Sequence, residues 1–176
     1  VGRDRRELPG VTIALSLATM HDRRLSPLSL LFWIGVAYVP AVSGYFFGPD
    51  RWYRRLAKPD WTPPDAVYGA VWLAIYLTLG ISVFLICRRD KHPMLPRALG
   101  LFFLVLLLNG AWMPLFFGLH RPDLALVCVG VQWMALVSMI RVFTKIRPSA
   151  GLLQVPHLLW VSFAFVLNAA IWHLNR

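Results

Sequence analysis

Five stretches of this chain lack Asp, Glu, Lys and Arg, and each approaches or exceeds the length needed to cross a bilayer. They cover residues 28–47, 66–87, 98–119, 124–140 and 151–174. A transmembrane helix takes roughly 20 mostly apolar residues. The fourth stretch is the shortest, and Arg141 just beyond it can snorkel to the headgroups. Prolines and charges gather between the stretches, at 48–65, 88–97, 120–123 and 141–150, where helices are expected to end. The pattern predicts an all-α membrane protein, a bundle of five transmembrane helices. Five such helices inside a soluble protein would leave no amphipathic helix to cover them.

Composition agrees with the pattern. Hydrophobic residues make up 58% of the 176 and charged residues only 15%, against about a quarter charged in soluble domains. Residues 1–27 read as a basic N-terminal extension, with Arg3, Arg5, Arg6, Arg23 and Arg24 around a short apolar run at 11–20. That run is too short to span and has no A-x-A cleavage site before the next stretch, so a surface-lying or disordered extension is expected. Residues 28–176 form one five-helix domain. The 48–65 connection carries two Trp, one Tyr and four Pro. It is expected to fold against the bundle, although an interfacial aromatic belt explains Trp52, Tyr53 and Trp61 equally well.

The net charge of +10 sits in tails and loops. There it sets topology and meets anionic lipid, and no basic soluble domain is left to bind nucleic acid. With five crossings the termini fall on opposite sides. Five bases of the extension, four in 88–97 and three in 141–147 then face four in 50–58 plus Arg121 and Arg176. In a bacterial cell-envelope membrane that bias puts the N-terminus in the cytoplasm. Cys87 and Cys128 lie within predicted spans and are expected to be free thiols.

Aromatic residues recur inside the spans. Tyr68, Trp72 and Tyr76 share one helix face at i, i+4 and i+8, with Gly69 and Gly80 nearby. Asn109, Trp112 and Phe116 form a second stripe, which Pro114 should bend. Trp160, Phe163, Ala164, Leu167 and Asn168 fall on one broad face of the last span. Spacing leaves two readings open. One is helix packing, with Asn109, Gln132 and Asn168 as interhelical hydrogen-bonding groups. The other is a pocket for a flat apolar ligand, faced by indoles and oriented by a few polar groups.

His157 and His173 in the last span, and His120 in a loop, are the candidates for iron ligation. All eight acidic residues fall in tails or loops, and there is no Ser-His-Asp set, P-loop or zinc spacing. Acid–base and metal catalysis are therefore unsupported, and no metal or required cofactor is expected. The spans also lack the mid-membrane charge of an ion-coupled pump.

Three ordered motifs stand out. The stretch WYRRLAKPDWTPPDAVYGAVWLAIY at 52–76 is similar to W-Y-x-x-L-x-K-P-x-W-x-P-P followed by V-[FLY]-G-x-V-W. LNGAWMPLFFG at 108–118 is similar to N-x-x-W-x-P-x-F-F-G, and VPHLLWVSFAFVLN at 155–168 to P-Y-L-x-W-x-x-F-A-x-x-L-N. In this order and spacing they resemble the TspO family, the tryptophan-rich sensory proteins also called translocator proteins or peripheral benzodiazepine receptors. The departures are His157 for Tyr, Gly110 and Leu124 for tryptophans, and Ala169 and His173 for the Tyr and Arg of a sterol-associated segment.

The resemblance implies a membrane-embedded, often homodimeric five-helix bundle. It implies a tetrapyrrole ligand such as protoporphyrin IX or haem, with sterols in some members. Carried over by motif, the pocket comprises Tyr68, Trp72, Asn109, Trp112, Trp160, Phe163, Ala164 and Leu167, with Tyr38 and Pro40 from the first span. Trp52, Trp61, Pro63 and Pro64 build the covering loop. Some members are reported to degrade protoporphyrin in light, which would fall to Trp72 and Trp160. The functions in view are a receptor or carrier for transport, sensing or disposal, a light- and oxygen-dependent porphyrin-degrading enzyme, and a ligand-free scaffold.

Overall fold

A computed structural model of the chain describes residues 26–89 and 91–176. The extension expected at 1–27 lies almost entirely outside the described residues. Among them, all regular structure is helical. In chain order it comprises α1 (Pro27–Tyr38), α2 (Ala41–Phe46), α3 (Arg51–Arg55), α4 (Asp65–Cys87) and α5 (Leu95–Met113). A π-helical turn (Pro114–Gly118), α6 (Pro122–Ile146), α7 (Pro148–Leu152) and α8 (Val155–Leu174) follow.

Four helical segments are long and apolar enough to cross a bilayer: Asp65–Cys87, Leu95–Gly118, Pro122–Ile146 and Pro148–Leu174. Their outward positions stay apolar, with Leu107, Val127 and Leu159 each about two-thirds exposed. In water such a surface would aggregate; in lipid it needs no cover. The protein is an integral, multi-pass membrane protein.

The first apolar stretch is not one continuous span. Pro40 has no N–H to offer the preceding turn, and the chain breaks there into the 12 residues of α1 and the 6 of α2. The two pieces also choose different neighbours: α1 packs on α4, while α2 leans onto α5. The contact of α1 with α4 is close, since a Cβ placed on Gly80 would lie 2.6 Å from the Ile34 Cα. Small residues permit such an approach where helices associate by van der Waals packing rather than by hydrophobic exclusion.

The stretch expected to be shortest belongs to the longest helix. α6 runs 25 residues, through Arg141 and Lys145. Those two side chains are exposed while Val142 and Phe143 between them and Ile146 just after them are buried, so the apolar face outlasts the uncharged run. α6 is also the hub of the bundle, packing on α5, α7 and α8.

The bundle is solid at one end and hollow at the other. Leu79, Val83, Ile86, Phe102, Leu136, Met139 and Phe143 fill the end where α4 finishes and α5 begins. At the opposite end the helices diverge around a cavity, and the 47–64 connection closes over it.

Candidate functional site

The cavity measures about 1250 Å³, beyond the roughly 300–1,000 Å³ of pockets for drug-sized ligands. α4 contributes Tyr68, Trp72 and Tyr76, which the 3.6-residue repeat brings to one face. α5 and the π turn contribute Asn109, Trp112, Phe116 and Phe117. α6 contributes Val129 and Gln132, and α8 contributes Trp160, Val161, Ala164, Leu167, Asn168 and Ile171. The broken first segment supplies Tyr38, Pro40 and Ser43.

The rings support one another. Trp72 stacks on Tyr76 at 5.3 Å and 27°, and Trp112 on Phe116 at 4.9 Å and 20°. Tyr68 meets Trp160 edge-on at 5.7 Å, and Tyr38 lies 5.4 Å from Tyr76. The Tyr38 hydroxyl donates to the Leu73 carbonyl at 2.6 Å, which ties the end of α1 to α4. The π turn reflects Pro114: the helix widens, and the Leu119 N–H reaches back to the Pro114 carbonyl at 2.8 Å. Single π turns of this kind recur at functional sites. Here the turn carries Phe116 into the wall.

Polar groups in the wall divide into spent and unspent. Asn168 is spent, because its Oδ1 accepts from Trp112 Nε1 at 3.0 Å and its Nδ2 donates to the Pro122 carbonyl at 2.8 Å. Gln132 Nε2 donates to Asn109 Oδ1 at 2.5 Å, which turns the Asn109 NH2 away from that bond. Asn109 Nδ2 and Tyr68 Oη are then buried without a partner among the described residues. A ligand accepting from both would remove the penalty of leaving buried donors unmet.

The covering connection is folded onto the bundle. Asp50 caps α3 by accepting from the Tyr53 N–H at 3.0 Å, and its other oxygen meets His120 Nε2 at 3.0 Å. The Tyr53 backbone bond, helped by His120, holds the Asp50 carboxyl below its ordinary range, while burial raises the Tyr53 phenol above its own. Trp52 stacks on His120 at 4.3 Å and packs on Phe116 at 5.7 Å. Lys58 donates to the carbonyls of Tyr53 and Leu56 at 2.7 and 3.1 Å. Its ammonium also lies 4.6 Å from the Tyr53 ring centre.

The structure brings Tyr38, Tyr68, Trp72, Asn109, Trp112, Trp160, Ala164 and Leu167 to this one cavity, with Pro40 and Pro63. Phe163 stands behind the wall, between Trp160 at 5.3 Å and Trp61 at 5.8 Å. Three residues advance a helix by about 300°, which sets Phe163 to one side of the lining face. Trp52, Trp61 and Pro64 do not line the cavity either; the two indoles buttress it from outside. Sequence reasoning missed Gln132 as a lining residue, and it missed the charged rim of Arg54, Lys58 and Asp65. The clustering of bases at 51–58 was a signal for the rim, but nothing in the sequence points those side chains toward the opening. Cys87 and Cys128 are free thiols. Among the described residues no set of His, Cys, Asp and Glu is grouped to hold a metal ion.

The class defined by this architecture is a helical membrane bundle that encloses a large aromatic chamber under a tethered loop. Residues 29–173 match the TspO/MBR family, and the chain belongs to it. It is 31% identical over 145 residues to the tryptophan-rich sensory protein of Cereibacter sphaeroides, covering 82% of this chain and 90% of that one. It is 33% identical over 152 residues to the tryptophan-rich protein TspO of Chlorobaculum tepidum, with 84% and 96% covered. To the translocator protein of Homo sapiens it is 34% identical over 130 residues, with 72% and 76% covered.

Proposed function

We propose that this protein is a membrane receptor or carrier for tetrapyrroles of the protoporphyrin or haem kind, acting in their transport, sensing or disposal. One observation carries the reading: the hollow end of the bundle is walled by flat aromatic faces, and Arg54 and Lys58 stand with Asp65 at its rim. Trp72, Trp112 and Trp160 suit a flat ring system. Arg54, without an acidic partner among the described residues, and Lys58 suit the carboxylates such a ring carries at its edge. The unmet Asn109 Nδ2 and Tyr68 Oη supply orientation. A sterol would use the same apolar volume but not Arg54 and Lys58. A ligand-free scaffold would leave the chamber and its unmet donors unexplained.

Burying a further ~100 Å² of ring face is worth about 2.5 kcal/mol at ~25 cal/mol per Å². Trp72→Ala and Trp160→Ala are therefore expected to weaken protoporphyrin binding at least several-fold, read by fluorescence titration of the protein in detergent. Titration curves identical to wild type in both variants would remove the two indoles from the site.

A second reading is light- and oxygen-dependent porphyrin breakdown. It is favoured by Trp72 and Trp160 lining the same chamber, so that a bound ring would meet both oxidisable indoles. Product formation that scales with protein under illumination and fails in Trp72→Phe would support it.

The bundle has a fifth crossing in this reading. Together α1 and α2 rise about 27 Å, close to the ~30 Å hydrocarbon core. The N-terminus then faces the cytoplasm of a bacterial cell, and the functional unit is a homodimer. Labelling of single cysteines from either side of the membrane, and native mass in mild detergent, test these points.

A further inference from the structure

A second, smaller cavity lies outside the chamber, on a face of the bundle that meets lipid. It measures about 570 Å³ and follows the seam between the broken first segment and α5. Val36 and Val39 line it from one side, and Phe103, Leu107, Gly110 and Ala111 from the other. Val39, Phe103 and Leu107 are each half exposed or more, so the groove is open to acyl chains. Ser43 is the polar side chain of its lining, and the Ser43 hydroxyl donates to the Pro40 carbonyl at 2.7 Å. With that proton spent, what the side chains offer a guest is apolar surface.

Pro40 and Ser43 line this groove and the chamber alike. A single layer of residues therefore separates the two spaces, and it is lightly held. α2 has six residues, none of them buried, and α5 is the neighbour it packs on. Small side chains make that contact. A Cβ on Gly110 would lie 3.8 Å from the Cα and Cβ of Pro40, and one on Gly44 would lie 3.4 Å from the Met113 Cε. Among the described residues no hydrogen bond joins α2 to α5. The loop over the chamber is tied down, by Asn175 to Ala57 and by Asp50 to His120. An element with few buried apolar contacts and no cross-links opens at low cost, so the side wall yields before the loop does.

We infer that the lipid-facing groove is the entry site of the chamber: a tetrapyrrole dissolved in the bilayer seats there and passes inward as α2 parts from α5. The inference rests on the tetrapyrrole reading of the chamber and adds the route by which the ring arrives. A flat apolar ring leaves water for acyl chains, so its supply to this protein is lateral. The groove lies within the roughly 300–1,000 Å³ of small-molecule sites. The seam it follows is held at two small contacts, Pro40 with Gly110 and Gly44 with Met113. The chamber sets the affinity, and the seam sets how fast the ring enters and leaves.

The test follows protoporphyrin exchange between liposomes and the full chain in a bilayer, read by tryptophan quenching. Pro40→Cys and Gly110→Cys are introduced together with Cys87→Ser and Cys128→Ser. Their Cβ atoms then stand 3.8 Å apart, a separation that suits a disulfide. Oxidation should staple the seam and slow uptake and release several-fold, and reduction should restore both in the same sample. Leu107→Trp tests the groove without a staple. Leu107 lines the groove but not the chamber, and a ring there should slow uptake and release to the same degree. Leu159→Trp is the control, equally exposed on α8 and lining neither space; its rates should match wild type. Equal rates in the oxidised and reduced staple, with wild-type rates in Leu107→Trp, overturn the inference. If the staple variant does not fold, Leu107→Trp against Leu159→Trp decides alone, and equal rates in those two overturn it. If wild type takes up no protoporphyrin, the tetrapyrrole reading fails and this inference with it; if wild type binds and neither change alters its rates, only this inference fails.

Discussion

The side-chain amide of Asn175 holds both backbone groups of Ala57, 118 residues earlier in the chain. Its Oδ1 accepts from the Ala57 N–H at 2.9 Å and its Nδ2 donates to the Ala57 carbonyl at 2.9 Å. Nδ2 also reaches the Ile171 carbonyl at 2.7 Å. The end of α8 thus pins the loop that covers the chamber. Asn175→Ala removes these bonds, each worth about 1 kcal/mol net. The loop should loosen while the helices persist. Hydrogen exchange should accelerate at Ala57 and its neighbours, and porphyrin release should speed up more than capture slows. Unchanged exchange at Ala57 would show that the pairing does not hold the loop.

Asp50 ties the same loop at a second point, through the Tyr53 N–H and His120. Its folded pKa lies below the ordinary 3.8. Such a group stabilises the folded loop fully above its ordinary value, and the contribution is lost as pH falls through the lowered folded value. Loop protection should therefore be flat from neutral pH down to about pH 4, where this carboxylate is concerned, and drop below it. Asp50→Asn keeps an acceptor for the Tyr53 N–H but has no charge to lose. Its protection should show no such acid step; an identical acid profile in both proteins would assign the step to another group.

Gly80 permits the close crossing of α1 over α4. Any Cβ there would sit 2.6 Å from the Ile34 Cα and 2.9 Å from the Ile34 N, both backbone atoms. Relief requires α1 to move, and overpacking of this kind costs about 1–3 kcal/mol. Gly80→Ala should lower the thermal unfolding midpoint in detergent by several degrees, and Gly80→Val by more. Gly69→Ala serves as the contrast, because nothing lies within 4 Å of a Cβ placed there. Equal midpoints for the two alanine variants would mean that α1 is held too loosely for the crossing to matter.

Arg54 lines the chamber at its loop end. If it receives a ring carboxylate, Arg54→Glu should weaken protoporphyrin binding several-fold and leave the dimethyl ester unaffected. The exposed position predicts that raised salt erodes the difference, since screening acts on surface charge. Equal weakening of acid and ester would point to a distorted loop.

Much of the chamber is readable in one dimension because a helix repeats every 3.6 residues. Tyr68, Trp72 and Tyr76 had to share a face once α4 formed, and Asn109, Trp112 and Phe116 came together in the same way. Phe163 sits at the edge of its face, beside Trp160 and off the lining, since a broad stripe does not say which margin turns inward. α6 continues past Arg141 and through Lys145, where charge alone predicts a helix end. Their exposed side chains leave the buried run of Val142, Phe143 and Ile146 intact.

What the sequence determined by itself was the solvent and the secondary structure. Long uncharged stretches belong in lipid, and in lipid a backbone must satisfy its own hydrogen bonds, which makes it helical. What only the tertiary structure decided was the pairing of distant groups: Gln132 with Asn109, Asn175 with Ala57, Gln154 with Ser82. None of these pairs shares a helix face by periodicity alone. Each exists because the helices cross at particular heights and angles, and those are set by small contacts, such as Gly80 beneath Ile34, that no local pattern encodes.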